Sequence, residues 1–279
     1  MSFIHAIAQF EFLQNALFAA FLASTVCAVL GTYTVLRRSS YMVGAVSHSL
    51  LGGMGFARFC QSVLGFAFLT PFIGAVLAAL IASVTITLLS TKGNSREDTI
   101  LSAVWTIGIA LGLCFIARIP GYAEDLNSYL FGNILLISRA ELAGMLVLDI
   151  VVLVLAALFH NRFIALFFNS EILPLHNISL FRTTLLLNIL TGLSVVLLSR
   201  AVGVVLVLAL MVLPAATALL LTRRLRLAMF LSALLCMVEC TSGIAVSYMT
   251  DISASAIIIL LAAILYLLAA LRRKLRPAS

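Results

Sequence analysis

His48 stands between two serines, Ser47-His48-Ser49, inside a run of small and apolar residues. A neutral imidazole there can ligate a transition metal or hydrogen-bond a neighbouring helix. Glu239 lies within another apolar run, and Asp251 closes that run in Ser247-Tyr248-Met249-Thr250-Asp251. A carboxylate at the mouth of a path can attract and briefly coordinate a cation; equally, Asp251 suits the cap of a helix starting near Ala254. Twelve residues of helix span ~18 Å, so one ion cannot touch both acids, although successive sites along a path fit that spacing. The structural alternative for Glu239 is a pairing with arginine or backbone on a neighbouring helix. Cys236 and Cys240 share a helix face, and two thiolates can bind a soft metal. No further His or Cys stands near them in sequence, so they read as packing, as do Cys27, Cys60 and Cys114.

These residues matter because of what surrounds them. Of 279 residues, 63% are hydrophobic and 10% charged, and the mean hydropathy is +1.22. A soluble domain is nearer half apolar and a quarter charged, and a disordered chain is less hydrophobic still, so both classes are excluded. At ~20 apolar residues per crossing, the length has room for roughly eight to ten membrane spans and for little else. An ionisable side chain inside such a span costs several kcal/mol unless it faces protein or water, which makes each one a functional candidate.

Nine membrane segments are expected, near 12–35, 41–58, 69–90, 98–118, 141–159, 181–199, 201–221, 227–247 and 254–271. The segment at 41–58 is the weakest, since it carries Ser47, His48 and four glycines. The stretch 127–137 is too short to cross and reads as a re-entrant or interfacial helix, which must pack in protein or line a cavity. The predicted fold is therefore all-α: a polytopic transmembrane helix bundle forming one domain, 1–279. Gly44, Gly52, Gly53 and Gly55 give the second span small faces for close helix approach. The first Lys or Arg is Arg37, so no cleavable signal with a basic start is expected.

In a soluble protein a net charge of +7 would point to nucleic acid. Here the basic residues lie mostly between apolar runs and set orientation. With the N-terminus outside and nine crossings, 13 of the 17 Lys and Arg fall on the cytoplasmic side, the bias that membrane insertion favours. Glu97 and Asp98 open the fourth span, where carboxylates favour a helix N-terminus. The predicted cytoplasmic loop Phe168-Asn169-Ser170-Glu171-Ile172-Leu173-Pro174-Leu175-His176 mixes apolar and polar residues as a docking segment does. The chain carries no Gly-rich phosphate loop ending in Gly-Lys-Ser/Thr, no His-Glu-x-x-His and no Gly-x-Ser-x-Gly. It is not expected to be an enzyme or to hold a resident cofactor, and any ATP hydrolysis belongs to another subunit.

Five stretches, in order, resemble the permease family of zinc/manganese/iron ABC importers. They are Leu36-Arg37-Arg38-Ser39-Ser40-Tyr41 followed by Ser47-His48-Ser49; Arg96-Glu97-Asp98-Thr99 followed by Gly108-x-Ala110-x-Gly112; Ser128-Tyr129-Leu130-Phe131-Gly132; Val202-Gly203-Val204 leading into Val212-Leu213-Pro214-Ala215-Ala216-Thr217-Ala218; and Ser247-Tyr248-x-x-Asp251. The resemblance runs from about residue 15 to 270. It implies a type II ABC importer-like permease in the bacterial inner membrane that moves a divalent transition metal (zinc, manganese or iron). It also implies cytosolic ABC ATPase subunits, an extracytoplasmic metal-binding solute-binding protein, and pairing as a permease homodimer or with a related permease; nucleic acid is not an expected partner. His48 and Asp251 become transient pathway or gate residues, Glu239 a further pathway candidate, and Asn169, Ser170 and Glu171 part of the ATPase-docking loop. Two departures stand out: Gly44 occupies the position, four before the histidine, where members usually carry Asp, and Ser253-Ala254-Ser255 replaces the usual Pro-Ser-Gly after the outer acid. A permease for a metal chelate of siderophore or cobalamin type, and a secondary cation transporter driven by an ion gradient, are the alternatives.

Overall fold

The structure, a computed structural model, describes residues 5, 7, 9–92, 96–119, 132, 134–168, 178–250 and 252–275. The described residues form ten α-helices: α1 (Glu11–Leu36), α2 (Tyr41–Val63), α3 (Pro71–Lys92), α4 (Glu97–Ile116), α5 (Arg139–Leu158), α6 (His160–Phe168), α7 (Leu180–Val202), α8 (Val204–Leu221), α9 (Leu225–Thr250) and α10 (Ala254–Leu275). Eight of them are long and apolar enough to cross a membrane. The ninth expected span is α2, whose 23 residues reach ~35 Å, enough for a ~30 Å hydrocarbon core. Its glycines and its Ser-His-Ser lower its apolarity without shortening it. Of the expected re-entrant segment, residues 127–131 and 133 lie outside the described residues; the rest holds Gly132 at φ +51° and a 3-10 turn, Ile134–Leu136.

Sequence explains several boundaries. Pro71 opens α3, where its missing N–H costs nothing. Ser138 and Glu141 form a reciprocal cap on α5: the Ser138 N–H donates to Glu141 Oε2 at 3.0 Å, and the Glu141 N–H donates to Ser138 Oγ at 3.3 Å. Gly203 separates α7 from α8 with φ +89° and ψ 153°, a conformation that other residues rarely adopt. The break between the sixth and seventh expected spans therefore falls at 203.

The chain divides into two compact units. One comprises 1–38, 127–156 and 197–279. In it α1 packs against α8 and α9, and α10 packs against the same two helices. A Cβ on Gly31 would collide with the carbonyl of Met211, so α1 and α8 meet backbone to backbone one turn before Pro214.

The other unit comprises 39–126 and 157–196. Here α2 packs between α3 and α4. A Cβ on Gly52 would lie 2.8 Å from the Gly108 carbonyl oxygen, and one on Gly55 would lie 3.0 Å from that of Gly112. Gly53 and Gly74 exclude each other's Cβ in the same way. Lipid supplies no hydrophobic drive between helices, so these small faces provide association through close packing. Buried polar groups add to it: Asn188 Nδ2 on α7 donates to Thr87 Oγ1 at 2.9 Å, and Ser83 Oγ donates to the Asn188 carbonyl at 3.0 Å. Ser39 Oγ donates to Glu97 Oε1 at 2.8 Å, so Glu97 ties the start of α4 to the residues before α2 as well as favouring its helix terminus.

Gly53→Val is expected to destabilise the detergent-solubilised chain by ~1–3 kcal/mol through overpacking. Gly144→Ala on α5 meets nothing within 4 Å and is expected to stabilise it by ~1 kcal/mol through helix propensity. Thermal melting of both variants against the unaltered protein checks the opposite signs.

Candidate functional site

His48 sits two turns into α2, half-buried, at a place set by the helix contacts around it. Gly108 and Gly112 of α4 lie against Ser49 to Gly55, and Trp105 is one turn before Gly108. Along α4, residues 105, 108 and 112 thus meet progressively later residues of α2, so the two helices run parallel. That register brings Trp105 beside His48. The two rings stack with centroids 4.4 Å apart and planes 21° from parallel. Among the described residues, neither imidazole nitrogen makes a hydrogen bond, and a stacked ring keeps its in-plane lone pair open. Ser47, next to it, is fully buried, its hydroxyl without a hydrogen-bond partner among the described residues.

The other unit holds two buried carboxyls. Glu239 of α9 is 1% exposed, and both of its oxygens are without a hydrogen-bond partner among the described residues. The arginine or backbone pairing considered for it is therefore absent among those residues. Asp149 of α5, 3% exposed, was not singled out in the sequence. Its Oδ2 lies 2.8 Å from Thr25 Oγ1, which is also 2.8 Å from the Leu22 carbonyl. A hydroxyl has one proton and a carbonyl only accepts, so both bonds form together when the carboxyl donates to Thr25 and Thr25 donates to Leu22. Oδ1 is without a partner among the described residues. The signal was available, since Asp149 is a lone acid between Leu148 and Ile150 in an apolar span, the pattern that drew attention to Glu239.

Buried thiols lie beside these acids. Cys27 is within electrostatic reach of Cys240 and Asp149, and Cys236 is within hydrogen-bonding reach of Cys240 and electrostatic reach of Glu239. Among the described residues no three His, Cys, Asp or Glu side chains are grouped to hold a metal ion. His48 and Glu239 belong to different units. Asp251 and the loop residues Asn169, Ser170 and Glu171 lie outside the described residues.

Helices of membrane-spanning length, close glycine contacts and a few deeply placed polar groups define a multi-pass helical membrane protein. The model of the ABC 3 transport family matches residues 9–273. A probable metal transport system membrane protein of Chlamydia pneumoniae is 35% identical over 233 residues, which cover 84% of this chain and 79% of that one. The manganese transport system membrane protein MntC of Halalkalibacterium halodurans is 33% identical over 267 residues, covering 96% and 89%. Among solved structures, PsaBC from Streptococcus pneumoniae in complex with Fab aligns with a TM-score of 0.81 at 29% identity, over 96% of this chain and 94% of that chain. The chain belongs to the ABC 3 transport family, as its five motifs suggested, and is a multi-pass protein of the cell membrane.

A buried unpartnered carboxyl is a stability cost of ~1–3 kcal/mol. Glu239→Leu is therefore expected to raise the melting temperature of the solubilised protein. A fall would mean that Glu239 holds a stabilising partner in the folded protein.

Proposed function

We propose that this chain, 1–279 acting as one permease domain, is the transmembrane subunit of an ATP-driven importer for a divalent transition metal. The observation that carries this is His48: an imidazole with its nitrogens unbonded among the described residues, inside a glycine-rich helix, in a member of a transport family. Relatives named for metal transport and for manganese transport support the substrate class. Manganese, iron and zinc all accept imidazole to differing degrees.

In this reading a solute-binding protein releases the ion at the outer face. His48 and Asp251 hold it transiently, and Glu239, inward of Asp251, is a further residue of the path. A pathway must bind well enough to admit the ion and weakly enough to release it, so few ligands suit it better than a closed four-ligand site. Cytosolic ATPase subunits dock on the loop containing Asn169, Ser170 and Glu171, and their closure drives alternating access. The permease works as a pair, either with a second copy or with a related chain.

Uptake of manganese, iron(II) and zinc into vesicles holding the complete transporter checks this. Uptake is expected to require ATP hydrolysis, and His48→Ala or Asp251→Ala is expected to lower it by ~10-fold or more, as for loss of a metal ligand or its support. Unchanged rates in both variants remove these residues from the path. Full-speed transport without the ATPase indicates a gradient-driven carrier, and passage of a chelate but not of bare metal indicates the chelate class.

A further inference from the structure

The geometry points to Trp105 as a selectivity-setting residue of the His48 site, paired with Gly44. It fills the place one turn before the histidine with an indole, so that the ion meets an imidazole nitrogen there and no side-chain oxygen from residue 44. This rests on the proposed role of His48 in the pathway.

Residues four apart share a helix face, so whatever side chain stood at 44 would stand beside His48. At 44 there is none, and the space is already taken. A Cβ built on Gly44 would lie 2.5 Å from Cζ3 of Trp105 and 3.2 Å from Cε3 and Cη2. The obstruction is the six-membered part of a rigid ring, not the end of a flexible chain, so it cannot yield without leaving the site. A side chain at 44 and the indole at 105 are therefore mutually exclusive. The backbone contacts of Gly108 with Ser49 and Gly52 fix the height of α4 on α2 and hold the indole at this level.

Stacking explains what the indole does. A metal binds an imidazole in the plane of the ring, while the indole covers one face of that ring at 4.4 Å. Trp105 thus restrains the direction in which the His48 lone pair points and leaves the nitrogen open. Imidazole suits zinc and iron, whereas carboxylate suits manganese. A Gly44–Trp105 pair therefore tilts the site toward zinc over manganese, relative to the same helix face bearing an acid at 44.

The test measures KM and kcat for zinc and for manganese uptake by the intact transporter, at matched membrane abundance. Trp105→Leu, which loses the stack, is expected to raise the zinc KM ~3–10-fold, the size of an aromatic pair's contribution, with kcat within ~2-fold. Trp105→Phe keeps a ring and is expected to stay near the unaltered protein. Gly44→Asp alone is expected to lose uptake of both metals. Gly44→Asp with Trp105→Ala is expected to recover uptake with the manganese-to-zinc ratio raised ~10-fold, as the added carboxylate favours manganese. Trp105 is the only tryptophan in the chain, so its emission in the full-length chain in lipid nanodiscs reports on this site; added zinc is expected to change it, and to leave it unchanged in His48→Ala. Unaltered KM values and metal ratio in both Trp105→Leu and the double variant, or Trp105→Phe behaving like Trp105→Leu, overturn the inference while the role of His48 stands. If the unaltered transporter moves neither metal, or His48→Ala moves both normally, the pathway reading itself fails.

Discussion

Hydrocarbon gives two helices no reason to associate, because lipid tails are as apolar as leucine. What holds this protein together is shape at close range, and that constraint falls hardest on α2. Every glycine of this helix at 52, 53 and 55 backs onto the backbone of a neighbouring glycine. The helix is the least apolar of the nine of membrane-spanning length, yet it is among the most enclosed: most of its residues from Met42 to Gly55 are buried. The sacrifice of apolar side chains is what allows two other helices to approach it.

Polar groups are handled in two distinct ways. Asn188, Thr87 and Ser83 answer one another across α3 and α7, and Ser39 answers Glu97. Such bonds are worth modest energy in a membrane, but they fix register. Asp149 is half answered, by Thr25, and Glu239 is not answered among the described residues. A buried acid without a partner lowers stability, and its presence here fits with a functional role in transport, where binding groups must be left open to their cargo.

The helical architecture was legible because its signal is local. Run length and apolarity mark eight of the nine spans directly, and the ninth, α2, follows from run length in spite of the glycines and Ser-His-Ser that weaken its hydropathy. The helix break at Gly203 shows the limit of apolarity alone: Val202-Gly203-Val204 reads as continuous, and the sharp turn depends on a single positive φ. His48 and Glu239 were visible as ionisable residues in apolar runs. Trp105 was not, because its importance lies in being next to Gly44 and His48, and that adjacency exists only once the glycine contacts have set α4 against α2. Asp149 carried the same local signal as Glu239; its hydrogen bond to Thr25, 124 positions away in the chain, belongs to the fold.

The glycine contacts also have a mechanical side. Three pairs of backbones interlock α2 with α3 and α4, two on one flank and one on the other. Sliding α2 by even a single residue would drive a Cβ into a carbonyl on both flanks at once, so the trio has one permitted register and no neighbouring alternative. Such an assembly travels as a solid body. In the proposed transport cycle, exposing His48 first to one side of the bilayer and then to the other would carry α2, α3 and α4 together.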